Sequence, residues 1–354
     1  MRSVADQIPI VNGVNTASVD ELVDEAFGAS VHATSYAALM GAGLVGVARI
    51  GLSDGRTVVL KVGPFPTIRL LTFETGLISA EARCLTVTGP DALPGSPFAR
   101  LLASGGGGKS SEWMFTTFLR GEQLSSLEGL QFDSDTLQEE LGAAIAQVHT
   151  LGSPTGRFGY DAGRPSGADW PEAFAAIIAS LLAEAAKWQV KLPLPDEAIA
   201  ELVQRHRDDL AEADRPAPVH FDLRKRNVLY SPRQDGTGEH RAGRYTLTGL
   251  VTGERFLFGD PLMDFVTPTL YYPIEDEPEH PLVRGYGRRG FTPTEVRRLR
   301  LYRIHEYLLM LVEMPSRSMK DSSYDWRKQL LASRPVEEAT ALGWTGNAIQ
   351  QPSN

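Results

Sequence analysis

The sequence predicts an α+β fold of two lobes, a small β-rich N-lobe over residues 1–120 and a larger, mainly helical C-lobe over residues 121–354. Three observations carry that expectation. Short β-branched and aromatic runs bounded by turn residues crowd the first third of the chain. Apolar residues spaced three and four apart dominate after Gly121. A chain of 354 residues is also too long for one small core.

Residues 1–17 read as a loose leader. Ser18-Val19-Asp20-Glu21 places Glu three residues after Ser, a capping box that predicts a helix through Phe27. Strands are expected at 37–40, 44–50 and 57–62, the last two joined by the turn Ser53-Asp54-Gly55-Arg56. Residues 70–85 read as a helix and 89–97 as a Pro/Gly-rich connection. Strands at 98–103 and 112–119 then flank the glycines at 105–108. In the C-lobe Leu137, Leu141, Ala144, Ile145 and Val148 form one apolar helical stripe. Asp169-Trp170-Pro171 starts a second helix, with Asp as cap and Pro in the first turn. Further helices are expected at 195–213 and 294–314, with a small hairpin of 227–230 and 245–251 between them. The polar tail beyond Gly343 is expected to fray.

Composition excludes several classes of function. A net charge of −9, with only short basic runs, argues against nucleic acid as the main partner, because phosphate binding needs a basic face. No stretch approaches the ~20 apolar residues of a membrane span, so no membrane partner is expected. The first apolar run, 8–14, is short and contains Asn12, so no signal segment is expected either. The single cysteine, Cys84, rules out an internal disulfide, fits a reducing cytoplasm and reads as a small buried apolar residue on a helix.

The chemistry concentrates in His220-Phe221-Asp222-Leu223-Arg224-Lys225-Arg226-Asn227, of the form H-x-D-x-x-x-x-N. Phosphoryl transfer needs a carboxylate to orient the attacking hydroxyl and accept its proton, and Asp222 suits that role. It also needs a side-chain oxygen that can reach a metal ion, and Asn227 suits that one. Pro218-Val219 and Val228-Leu229-Tyr230 bracket the loop as short strands would. A charged surface turn, with Asp222 as a helix cap, is the bland alternative. Lys61 is the one charge in Val58-Val59-Leu60-Lys61-Val62, and such a charge needs a partner; Glu81, on the following helix, supplies one. A solvated edge-strand lysine is the alternative there. Gly41, Gly43 and Gly46 lie between two strands, where a phosphate-covering turn belongs, although any tight hairpin also uses glycine.

Taken together, residues 18–315 resemble the aminoglycoside phosphotransferase family, within the protein-kinase-like and choline-kinase-like group. The resemblance implies a bilobal protein-kinase-like fold that moves the γ-phosphate of ATP or GTP, with Mg²⁺, to a free hydroxyl on a small molecule such as an antibiotic or biosynthetic intermediate. It implies that Gly41, Gly43 and Gly46 belong to the nucleotide loop, that Lys61 holds phosphates, and that Glu81 fixes Lys61. Thr117, Phe118 and Leu119 then form the hinge whose backbone receives the purine. Asp222 takes the catalytic position, Asn227 the metal position, and Gly259-Asp260-Pro261 a structural segment.

One position departs from the family pattern. The strand before Gly-Asp-Pro in the family carries a metal-chelating aspartate, and here Leu250-Val251-Thr252-Gly253-Glu254 puts Thr252 in its place. Mg²⁺ favours carboxylates, phosphates and water over a neutral hydroxyl. Glu254 substitutes for the aspartate, or Asn227 and the nucleotide share one metal, or transfer is impaired and the protein only binds nucleotide or a small ligand. A competing signature, residues 103–110 with Gly108-Lys109-Ser110, satisfies a relaxed phosphate-loop pattern. Its aromatic, β-branched continuation reads as a hairpin turn and strand instead, since a true phosphate loop opens a helix. The acidic run Glu275-Asp276-Glu277-Pro278-Glu279 could attract amines, Tyr271, Tyr272 and Trp170 could line a pocket, and His220 is expected to orient the loop from behind.

Overall fold

The computed structural model describes residues 9–11, 14–39, 44–108, 110–127, 133–234, 240–317 and 325–346. Gly41 and Gly43 of the glycine cluster therefore lie outside the described residues, as does Lys109. A short ribbon, β1 (Pro9–Val11) and β2 (Val14–Asn15), occupies part of the expected leader and runs into α1 (Thr16–Phe27). The helix starts two residues before Ser18, so the capping-box reading is corrected. Its Val19 and Val23 are fully buried against the sheet.

The N-lobe sheet is antiparallel, in the order β3 (Ala33–Leu39), β4 (Gly46–Leu52), β5 (Thr57–Val62), β7 (Ser110–Thr117), β6 (Leu101–Gly107). Side chains alternate across a strand, and the two faces have different partners. Val58, Leu60, Val62, Trp113 and Phe115 pack with α1, whereas Met114 packs with α2 (Leu77–Thr88). Helix α2 begins seven residues later than expected, because Gly76 adopts φ 69° after a separate turn at Thr72–Glu74. The glycine-rich stretch extends β6 into a hairpin with β7. Gly106 and Gly107 have φ of 79° and 104°, and a Cβ at Gly105 would lie 2.6 Å from the Trp113 ring. A strand follows, not a helix, so the phosphate-loop reading of 103–110 falls away.

The C-lobe begins with β8 (Glu122–Gln123) and α3 (Ser134–Val148), capped by Asp133 and burying Leu137, Leu141, Ile145 and Val148 of the expected stripe, with Ala144 at its half-buried margin. Next come β9 (Phe158–Gly159), β10 (Ser166–Gly167) and α4 (Trp170–Lys187), whose cap Asp169 accepts the Glu172 amide at 2.8 Å. The helix expected at 195–213 is two, α5 (Asp196–Arg205) and α6 (Arg207–Ala211), broken at His206. Two small sheets follow, the second of which lines the interlobe cleft through Gln123, Leu229 and Leu250. β11 (Ala217–Val219) joins β14 (Leu257–Gly259), β9 and β10; β12 (Val228–Gln234) joins β13 (His240–Leu250) and β8. After α7 (Pro281–Gly285), α8 (Pro293–Ser316) is buried on nearly all sides. It is covered by α9 (Asp325–Ala341), a helix the sequence reading did not name. No described helix is long and apolar enough to cross a membrane.

Candidate active site

A cleft of about 540 Å³ separates the lobes, within the usual range for a small-molecule site. Val47 and Val59 line it from the N-lobe, Leu229 and Leu250 from the C-lobe, giving two apolar walls for a flat ring. At its edge, Thr117 spends its amide and hydroxyl on Arg100. Phe118 and Leu119 follow the end of β7 and line this edge of the cleft beside the walls. Gly46 opens β4 opposite Val62, next to the wall residue Val47.

Lys61 belongs to the central strand β5, flanked by β4 and β7, which removes the edge-lysine alternative. Strand alternation turns its neighbours Leu60 and Val62 toward α1 and Lys61 toward the cleft. There its Nζ donates to Glu81 Oε1 and Oε2 at 2.6 and 2.8 Å. The pair is buried, and the Gly253 amide adds a third bond to Glu81 at 3.1 Å. Helix α2 is thus tied both to the sheet and to the segment after β13.

The 220–227 loop leaves β11 and returns as β12. Asp264 fastens its start, accepting the His220 amide at 3.1 Å, the Phe221 amide at 2.7 Å and His149 Nε2 at 3.0 Å. His220 Nδ1 accepts the Asp222 amide at 3.2 Å, so its Nε2 is the atom that donates to the Val251 carbonyl at 3.1 Å. It orients the loop from behind, as expected. Asn227 Nδ2 donates to the Asp222 carbonyl at 2.7 Å, which leaves its Oδ1 as the free acceptor. Asp222, Asn227 and Lys61 are buried, and half-buried Thr252 and Glu254 line both the cleft and the recess that holds Asp222.

Arginines that the sequence reading did not assign surround the carboxylate. Arg226 Nη2 donates to Asp222 Oδ2 at 2.8 Å. Arg224 Nη1 lies 3.0 Å from Oδ1, an ion-pair distance without hydrogen-bond geometry, so we count it as charge rather than as a bond. Burial favours the neutral acid, yet Arg224, Arg255 and Arg226 outweigh it and hold Asp222 well below the usual carboxylate range. Behind them runs a buried chain of charge. Arg224 pairs with Glu306, Glu306 with Arg255 at 3.1 Å, and Arg255 with Glu313. Arg317 then joins Glu313 to Glu74, each at 3.1 Å. Arginines at alternate positions 224 and 226 were the available signal in the sequence.

The donors do not fit the metal clamp that the family pattern implies. Thr252 occupies the aspartate position with φ 69° and ψ 58°, a left-handed conformation that disfavours a β-branched residue. Asp222 is committed to arginines, and no cluster of three or more Asp, Glu, His or Cys able to hold a metal exists among the described residues. Glu254 is the remaining cleft carboxylate. It has no ion-pair partner among the described residues, and burial and nearby Glu81 push it up to about 7. A guanidinium, Arg226, reaches into the same space.

Other candidates resolve as structural. Trp170 is fully buried and donates to Tyr302 at 2.7 Å, and Asp260 accepts from Arg298 and Tyr302, each at 2.6 Å. Glu275 of the acidic run binds Arg303 at 2.6 and 2.9 Å. Cys84 is buried on α2, and burial pushes its thiol up.

An antiparallel sheet with a lysine–glutamate pair, a hinge edge and a loop-borne aspartate beneath defines a protein-kinase-like fold. The chain belongs to the phosphotransferase enzyme family, whose profile matches residues 47–302. A putative fructosamine-3-kinase from Thermobifida fusca YX-ER1 is similar, with 18% identity over 92% of this chain and 99% of that one and a TM-score of 0.63. A thermostable mutant of aminoglycoside phosphotransferase APH(4)-Ia, in ternary complex with AMP-PNP and hygromycin B, gives 18%, 93%, 100% and 0.59. A macrolide 2'-phosphotransferase type I gives 16%, 90%, 98% and 0.52. At these identities the likeness concerns the fold. Nothing among curated protein sequences matches the chain.

Proposed function

We propose that this protein transfers the γ-phosphate of ATP or GTP to a hydroxyl of a small molecule, an antibiotic or a biosynthetic intermediate, in a reducing cytoplasm. One observation supports the reading above the rest: Lys61–Glu81, the Phe118–Leu119 edge and Arg226–Asn227 line one 540 Å³ cleft, and Asp222 lines the small recess that shares Arg226, Thr252 and Glu254 with it. In this reading the purine lies between the apolar walls with its edge on residues 117–119. Lys61 neutralises phosphate charge, and residues 121–354 carry the acceptor. The acceptor oxygen attacks the γ-phosphorus, the bond to the β–γ bridging oxygen breaks, and the acceptor proton passes to Asp222. Catalysis is then positioning plus electrostatics.

A second reading, nucleotide or ligand binding without transfer, draws on Thr252 and on the two arginines held against Asp222. Nucleoside diphosphate release, measured with ATP and GTP across a panel of hydroxyl-bearing small molecules, separates the two. Turnover abolished by Asp222→Asn supports transfer. Nucleotide binding with no turnover on any acceptor supports the second reading, and turnover that survives Asp222→Asn would remove Asp222 from its role.

A further inference from the structure

We propose that Arg226 takes the place of a divalent cation in this cleft, its guanidinium joining Lys61 in neutralising the phosphates of a nucleoside triphosphate that binds without metal. This rests on the reading of the cleft as a nucleotide site, and it names the charge that holds the nucleotide there.

Arg226 immediately precedes Asn227 and lines the cleft with it and with Lys61. The side chain is 40% exposed, so it can turn toward a ligand without unpacking the core. One of its five N–H groups binds Asp222 at 2.8 Å, and its Nε, shielded from solvent, has no hydrogen-bond partner. A planar guanidinium matches the geometry of phosphate oxygens, which accept two of its N–H groups side by side.

The charge balance is the same as that of a metal site. A dication on one aspartate brings a net single positive charge to the phosphates, and so does arginine beside a neutral threonine at position 252. A dication at this end of the cleft would instead face an arginine with one unpaired carboxylate among the described residues, Glu254, to hold it. Phosphate binding by Arg226 also draws the guanidinium away from Asp222 Oδ2, freeing that oxygen for an acceptor hydroxyl.

Calorimetric titration of the full-length protein with ATP, in excess EDTA and again in Mg²⁺, tests this. The expected result is an affinity in EDTA within about threefold of that in Mg²⁺, with Arg226→Gln weakening the EDTA value about tenfold or more and Arg226→Lys retaining part of it. Glu254→Gln should tighten ATP in EDTA, since it removes a like charge from the phosphates. Binding by the wild-type protein in Mg²⁺ alone, abolished by Glu254→Gln, overturns the inference and leaves the nucleotide site standing. So does an EDTA affinity that Arg226→Gln does not change. No ATP binding in either buffer overturns both. Should Arg226→Gln fail to fold, the wild-type comparison and Arg226→Lys still decide.

Discussion

Asp264 accepts the backbone amide of Phe221 at 2.7 Å and holds that residue at φ 57°, in the left-handed region that side chains seldom adopt. Such a conformation costs on the order of 1–3 kcal/mol and persists only where the surroundings enforce it. The same carboxylate holds the His220 amide and His149, so one side chain supports the loop beneath the cleft. Asp264→Ala leaves two buried amides without an acceptor, at about 1–3 kcal/mol each. We expect a loss on the order of 3 kcal/mol in urea unfolding, with Asp264→Asn keeping part of it. A loss below about 0.5 kcal/mol, the range of an ordinary surface change, would show that the loop holds its shape by other means.

Lys61 and Glu81 make a buried pair in which each partner is costly alone. Removing one should destabilise by about 3–5 kcal/mol, because the other is left as an uncompensated charge. Lys61→Met and Glu81→Leu are therefore each expected to be severe, and the double variant to recover most of the stability. Nucleotide binding should not recover with it if, as proposed, Lys61 neutralises phosphate charge. A double variant that restores both would leave the pair as packing only, and thermal unfolding run beside ATP titration reads the two quantities separately.

Legibility in the sequence followed chain distance and local pattern. The 220–227 loop is contiguous, and period-2 alternation in β5 was enough to aim Lys61 away from Leu60 and Val62. The Arg255 pairs with Glu306 and Glu313 close over 51 and 58 residues, and no local pattern encodes them. Helix α8 carries Arg298, Arg303, Glu306 and Glu313 into the core, so its sequence has a solvated texture while its surroundings are buried. Helix α9 escaped for a related reason: Arg303 meets its Glu338 at 2.6 Å, and burial comes from α8 rather than from a strong apolar stripe of its own. The positive φ of Phe221 and Thr252 had no marker, since neither is a glycine.

His305 predicts an acid limb to stability. It is buried between Phe221 and Phe174, its Nδ1 has no hydrogen-bond partner, and burial, reinforced by Arg255 and opposed by Glu313, pushes it down to about 3. The unfolded chain takes up this proton near pH 6.5. Between about 3 and 6.5 the unfolded state therefore binds more protons, so the contribution is complete above that window and is lost as pH falls through it. The slope is at most about 1.4 kcal/mol per pH unit. Glu254, pushed up to about 7, acts in the opposite direction, stabilising at low pH and losing that contribution as pH rises. Comparing wild type with His305→Phe in urea at two pH values cancels the Glu254 term. A smaller loss for the variant on going from pH 7.5 to 5 is expected, and equal losses would mean that His305 titrates normally.

Thr252 offers a test of strain that is independent of any ligand. Its φ of 69° and ψ of 58° place a β-branched side chain in the left-handed region, where asparagine and glycine are tolerated and threonine is not. The conformation is imposed from outside: the next residue, Gly253, sits against α2, where a Cβ would come within 3.2 Å of Cys84 Sγ and 3.4 Å of Glu81 Cγ, and its amide is bonded to Glu81. The backbone therefore cannot relax without breaking the tie between α2 and β13. Thr252→Asn should stabilise by about 1 kcal/mol, the lower end of the strain range, since Asn keeps a polar side chain and bonds locally in this region. If Thr252→Asn proves neutral or harmful in urea unfolding, the threonine is making a stabilising contact that outweighs its backbone strain, and the position is held by its side chain rather than by its neighbours.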